Sequence, residues 1–116
     1  MGTVDDYLAE LDDETARMAI AHVYAIAAEV VPEAVQGTKY AMPALVHRGK
    51  GLISVMRTRK HLGLYPYSGR ILPVLAKDLG DYDGSPGTLR FQPDALPPDD
   101  VLRRIVEMRR EEIEGS

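Results

Sequence analysis

The feature that most constrains this chain is the proline at position 32, which separates two stretches of different texture. Before it, Ala16, Ile20, Val23, Ala27 and Val30 recur at the spacing of one helix face, and Pro32 forces Val31 out of helical conformation. From Gly37 onward the chain breaks into short runs, Thr38 to Met42, Ala44 to His47, Leu52 to Arg57 and His61 to Tyr65, separated by Pro43, Gly49-Lys50-Gly51 and Arg59-Lys60. Runs of this length between turn formers predict antiparallel strands joined by tight turns. A helix followed by a run of strands is the pattern of an α+β layer.

The flanks add to that frame. Thr3 with Asp6 three residues later reads as an N-cap and first-turn acid, opening a short helix through Tyr7, Leu8 and Leu11. The long helix then begins near Asp12 or Asp13. Ile71 to Leu79 predicts a helix stopped by Gly80, with Pro73 in its first turn. A loop of Gly, Asp, Ser and Pro leads into a last strand, Gly87 to Phe91. Pro97-Pro98-Asp99-Asp100 opens a final helix whose apolar face is Val101, Leu102, Ile105, Val106 and Ile113. The expected order is α-α-β-β-β-β-α-β-α in one domain over residues 1–116, with helices on one face of a mostly antiparallel sheet of about five strands. Strand alternation puts Ala41, Leu62, Leu64, Leu89 and Phe91 toward the core. On the open face it groups Thr38, Tyr40 and Met42, then His61, Gly63 and Tyr65, then Thr88 and Arg90.

Composition narrows the chemistry. A chain of 116 residues buries roughly 65% of its unfolded surface, enough for one core without staples. The absence of cysteine removes thiol nucleophiles, disulfides, iron–sulfur clusters and cysteine-ligated zinc. The four serines, Ser54, Ser68, Ser85 and Ser116, sit in no nucleophile-elbow pattern, and no phosphate-cradling glycine loop occurs, so catalysis is not expected. The three histidines form no ligand pair: His22 has Met18 and Ile26 at its helical neighbours, and His47 and His61 fall in different predicted strands. The apolar run from Met18 to Val31 is too short to span a bilayer, and the expected location is the cytoplasm.

Charge is unevenly spread behind the formal total of −4. Residues 1–16 hold six acids and no base, while residues 34–77 hold eight bases and no acid. Tyr40, Tyr65 and Tyr67 lie within the basic stretch, a pattern that suits single-stranded nucleic acid. The acidic first helices can pack beside that stretch and cancel its field, so nucleic acid is not the expected partner.

Two candidate sites follow. Asp6, Glu10 and either Asp13 or Glu14 would make a carboxylate ridge if the first helix ran on unbroken, and oxygen ligands of this kind suit hard cations such as ferric iron. The plainer reading is that acids near helix N-termini complement the helix dipole and stay solvated. The second candidate is the open sheet face of Tyr40, Met42, His61, Tyr65, Thr88 and Arg90, with aromatic plates, an imidazole and a fixed cation able to hold an anionic or planar ligand or a partner protein. Its plainer reading is cross-strand pairing that stabilises the sheet. A symmetric dimer pairing two such faces would hide Leu52 and Met56 if both lie there.

Five segments in order carry a resemblance: Thr3-Val4-Asp5-Asp6-Tyr7, Tyr40-Ala41-Met42-Pro43-Ala44, Lys60-His61-Leu62-Gly63-Leu64-Tyr65-Pro66, Gly87-Thr88-Leu89-Arg90-Phe91 and the helix after Leu96-Pro97. Together they resemble the YdhG-like family across nearly the whole chain. Where that family usually has Lys-Gly-Thr-Ile-Arg-Phe-Pro, this chain has Pro86-Gly87-Thr88-Leu89-Arg90-Phe91-Gln92, without the lysine or the last proline. The resemblance implies a compact α+β fold. Most members are a domain of unknown function, and a few are described as frataxin-like intracellular iron chaperones. It therefore implies iron, or an iron-accepting protein, as the partner, with the ridge of Asp6, Glu10, Asp13 and Glu14 as its place.

Overall fold

The computed structural model describes residues 2–80 and 82–115. Helices α1 (Thr3–Glu10) and α2 (Glu14–Val30) precede strands β1 (Val35–Lys39), β2 (Met42–His47), β3 (Lys50–Arg57) and β4 (Leu62–Tyr65). Two single-turn helices, α3 (Ile71–Val74) and α4 (Ala76–Leu79), lead to the hairpin of β5 (Asp83–Ser85) and β6 (Thr88–Phe91), and α5 (Asp99–Glu114) closes the described chain. The six strands form one antiparallel sheet in the order β1-β2-β3-β4-β6-β5. The α+β layer is as expected, with one strand more than the sequence predicts: Asp83–Ser85 pairs with β6 instead of remaining a loop.

The core forms where the apolar faces of α2 and α5 meet the inner face of the sheet. Ala16, Ile20, Val23 and Ala27 of α2 and Val101, Leu102, Ile105, Val106 and Ile113 of α5 are all buried with Ile53, Val55, Leu62, Leu64 and Leu89. Asp13 caps α2 through the Ala16 amide at 3.1 Å. Gly80, at φ 64°, ends α4 in a conformation that favours glycine.

The outer face is governed by a seam between β2 and β3. The register shifts between Leu45 and Val46, so Leu52 is an extra residue on β3, and it turns into the core. Leu52 is therefore not on the open face. Pro43 lies within β2, not between two strands as the sequence suggests, and it has no amide to give β3. Helix tyrosines fill the gap: the Val55 amide donates to the Tyr24 hydroxyl at 2.9 Å, and the Arg57 amide to the Tyr7 hydroxyl at 2.7 Å. The sheet thereby stays satisfied where its own ladder stops.

Candidate functional site

Strain marks the site. Tyr40 and Ala41, expected in a strand, instead form the two-residue turn between β1 and β2, at φ 51° and 63°. Ala41 is thus exposed and not a core residue. A turn with both central residues at positive φ is ordinarily built from Asn and Gly, and each other residue so placed costs about 1–2 kcal/mol. Arg48, at 53°, repeats the arrangement with Gly49 between β2 and β3, and Tyr67, at 58°, is a single such residue in the loop after β4. Among the described residues these four are all the non-glycine positions at positive φ, and every one lines or adjoins a single cleft. Backbone strain of this kind persists where the surroundings over-determine it, and it gathers at functional sites.

The cleft, of about 750 Å³, lies within the range of small-molecule sites. Its floor is Tyr67. A Cβ at Gly51 would stand 2.8–2.9 Å from the Tyr67 ring carbons, so only glycine lets the ring lie flat on β3. At Gly63 a Cβ would meet only the far end of Tyr65, with the hydroxyl 2.8 Å away. The Tyr40 ring stacks on Tyr67 at 5.9 Å between centroids and 21° between planes, and Tyr40 is 86% exposed. At its far end the Tyr67 hydroxyl lies 2.7 Å from the Ser54 hydroxyl and 3.3 Å from the Lys39 carbonyl, and its one proton is shared between these two acceptors.

Those hydroxyls continue into the core. Ser54 donates to the Pro43 carbonyl at 2.7 Å, so its one proton is committed and the Tyr67 hydroxyl donates to Ser54. The same carbonyl accepts from Tyr24 at 3.2 Å, and Tyr24 accepts from the Val55 amide. Burial pushes the Tyr67 phenol up from its ordinary value and the Tyr24 phenol far more, so both keep the protons the relay needs.

The rim is cationic. Lys39, Lys50 and Arg109 line the cleft, and no carboxylate is among its lining residues. Lys39 donates to the Gly49 carbonyl at 2.7 Å, tying together the two strained turns at either end of β2. Arg109, on α5 and 15% exposed, gives its Nε to the Gly51 carbonyl at 2.8 Å and pairs with Glu112 at 3.2 Å. Glu112 also accepts from Ser68 at 2.8 Å, so one carboxylate behind the rim orients two of its donors.

The residues expected on the open face are divided by the structure. Tyr40, Met42 and Tyr65 line this cleft. Thr88 and Arg90 lie on β6 outside it, and Arg90 pairs with Asp83 of β5 at 3.5 Å. His61 sits in the turn before β4 and lines a separate cleft of about 220 Å³ with Asp13, Arg57 and Gln92. Sequence reasoning missed Lys39, Lys50, Ser68 and Arg109 as lining residues. Tyr67 was visible only as one aromatic of the basic stretch, and Arg109 gave no signal because α5 reads as an ordinary amphipathic helix.

The carboxylate ridge is not continuous. Helix α1 ends at Glu10, α2 starts at Glu14, and Leu11 between them is extended, so the four acids do not share one helix face. Asp13 caps α2 and pairs with Arg57 at 3.4 Å, and Glu14 faces Arg17 at 3.9 Å. Among the described residues no group of three or more His, Asp or Glu is placed to hold a metal ion. The other histidines act as ties: His22 bonds Asp99 at 2.8 Å, and buried His47 bonds Glu114 at 2.8 Å. No helix among the described residues is long and apolar enough to cross a membrane.

No family model matches this sequence, and no curated protein matches it. Among solved structures the chain is similar to the crystal structure of YdhG, a DUF1801-family protein from Bacillus subtilis, with a TM-score of 0.79 at 19% identity, over 95% of this chain and 88% of that one. The fold described above is therefore that of the YdhG structure, and the likeness to the YdhG-like family read from the sequence is borne out in the fold over 95% of the chain.

Proposed function

We propose that this protein is a non-enzymatic binding module that takes a small anionic ligand in the cleft of Tyr40, Tyr65 and Tyr67. The observation that carries this reading is the charge of the lining: Lys39, Lys50 and Arg109 face the cleft with no carboxylate among the lining residues, Glu112 standing behind Arg109, beside a strained aromatic wall whose Tyr67 is held by hydrogen bonds. Fixed donors beside apolar plates favour an anion with an apolar body, because the site is organised before the ligand arrives. Among the described lining residues there is also no histidine, aspartate or glutamate to move a proton near neutral pH, which favours binding over catalysis. Iron handling in the cytoplasm, the role implied by the family resemblance, is the second reading. It draws on the exposed acids Asp6 and Glu10.

Calorimetric titration with pyrophosphate tests the first reading, using the parent and a Lys39→Met/Lys50→Met variant. Saturable heat in the parent that the variant loses, and that weakens as salt rises, supports it. Absence of heat in the parent overturns it. Titration with Fe(II) under anaerobic conditions, followed by two-dimensional NMR, tests the second: broadening confined to Asp5 through Glu14 would favour iron handling on the first helices.

A further inference from the structure

The cleft has two chemically different halves, and the anion accounts for only one of them. Tyr40 is the most exposed large apolar side chain described, and its ring stacks on that of Tyr67. One ring face rests on Tyr67, which is itself seated on Gly51 and tied to Ser54 and Lys39, and the backbone holds Tyr40 at φ 51°. A turn under no demand to present a ring would carry Asn or Gly here. The ring is otherwise largely exposed, and it lines the same cleft as Lys50 and Arg109. An aromatic plate stacked on a second ring beside cations is the arrangement that holds a planar ring and its charged substituent together.

Resting on the anion-binding reading above, we propose that the ligand is a free mononucleotide or a compound of the same chemistry. Its aromatic ring stacks on the open face of Tyr40 and its phosphate meets the Lys50 and Arg109 side of the cleft. Stacking on a plate that is already ordered costs the protein little conformational freedom, so the ring adds affinity that phosphate alone does not have.

The test compares adenosine monophosphate, adenosine, pyrophosphate and a single-stranded oligonucleotide by calorimetry and by NMR of the tyrosine ring signals. Three of the six tyrosines, Tyr40, Tyr65 and Tyr67, line the cleft, so their ring signals report it. The mononucleotide is expected to bind about tenfold or more tightly than pyrophosphate, as one base stacked on one aromatic ring confers. Tyr40→Asn, which keeps a residue suited to positive φ, should erase that advantage of the nucleotide over pyrophosphate, while Tyr40→Phe should keep it. Pyrophosphate binding as tightly as the nucleotide, or a Tyr40→Asn variant with the advantage intact, overturns the ring assignment while the anion reading stands. Silence toward every compound overturns both. Binding of the oligonucleotide with the mononucleotide silent refutes the free nucleotide as the occupant.

Discussion

Replacing Tyr24 by Phe removes one oxygen from the seam between β2 and β3, and its cost can be worked from the contacts. The ring stays buried and its packing is unchanged. What is lost is the acceptor of the Val55 amide, 2.9 Å away, a longer donation to the Val55 carbonyl at 3.4 Å, and one of two donors to the Pro43 carbonyl, which keeps Ser54 at 2.7 Å. Val55 is fully buried, so its amide is left without water as well. A buried donor stranded in this way costs about 1–3 kcal/mol. For a chain of this length the unfolding entropy is about 0.24 kcal/mol/K, so a loss of 2 kcal/mol lowers Tm by about 8 °C. Urea unfolding should show a lower midpoint at unchanged slope, and amide exchange at Val55 should accelerate. Ser54→Ala supplies the contrast. It leaves the Pro43 carbonyl with Tyr24 and lets the Tyr67 hydroxyl turn to the Lys39 carbonyl 3.3 Å away, so it should cost less than about 1 kcal/mol. If Tyr24→Phe unfolds at the parent's midpoint with Val55 still protected, the hydroxyl does not hold the seam and the argument fails.

Further expectations concern the cleft, the acids and the C-terminal tie. Gly51→Ala puts a methyl into the seat of Tyr67, which cannot move without losing Ser54, and should cost about 1–3 kcal/mol while shifting the Tyr40 and Tyr67 ring signals together. Asp13→Ala removes the cap of α2 and the partner of Arg57 and should cost about 1 kcal/mol, whereas Asp6→Asn and Glu10→Gln, both exposed, should each stay within about 0.5 kcal/mol. Equal costs at Asp13 and Asp6 would show that the helix break does not set their roles. Hydrogen bonding to His47 holds the Glu114 carboxyl below its ordinary value. A depressed carboxylate adds stability that is present above the unfolded-state value near 4.5 and lost as pH falls through the folded-state value. The parent should therefore exceed Glu114→Gln in urea midpoint at neutral pH and converge with it in acid; a difference that widens as pH falls would reverse the assignment.

The helices were legible because each carries its own period and stops: Pro32 ends the long helix region, and Pro98-Asp99-Asp100 opens the last. The inner sheet face was legible for the same reason, since Leu62, Leu64, Leu89 and Phe91 alternate without interruption. The site was not. Tyr40-Ala41 reads as strand by propensity, and only tertiary support from Tyr67 holds it in a turn that local preference opposes. The bulge at Leu52 changes which side chains face out, and nothing in the local spacing announces it. Arg109 reaches the cleft from 58 residues beyond Gly51 along the chain, a distance that no motif spans.

The turn at Tyr40 and Ala41 has a consequence for how the sequence can change. Tyr40→Asn together with Ala41→Gly would ease two unfavourable backbone conformations, each costing about 1–2 kcal/mol, at a position where the chain is exposed and no core packing would be disturbed. That improvement is two substitutions away, and this sequence forgoes it. A library selected for thermal resistance alone should drift to Asn-Gly here and lose the aromatic wall of the cleft in doing so, whereas a library selected for ligand capture should hold the tyrosine. The first hairpin would then be the place where durability and recognition pull the chain in opposite directions.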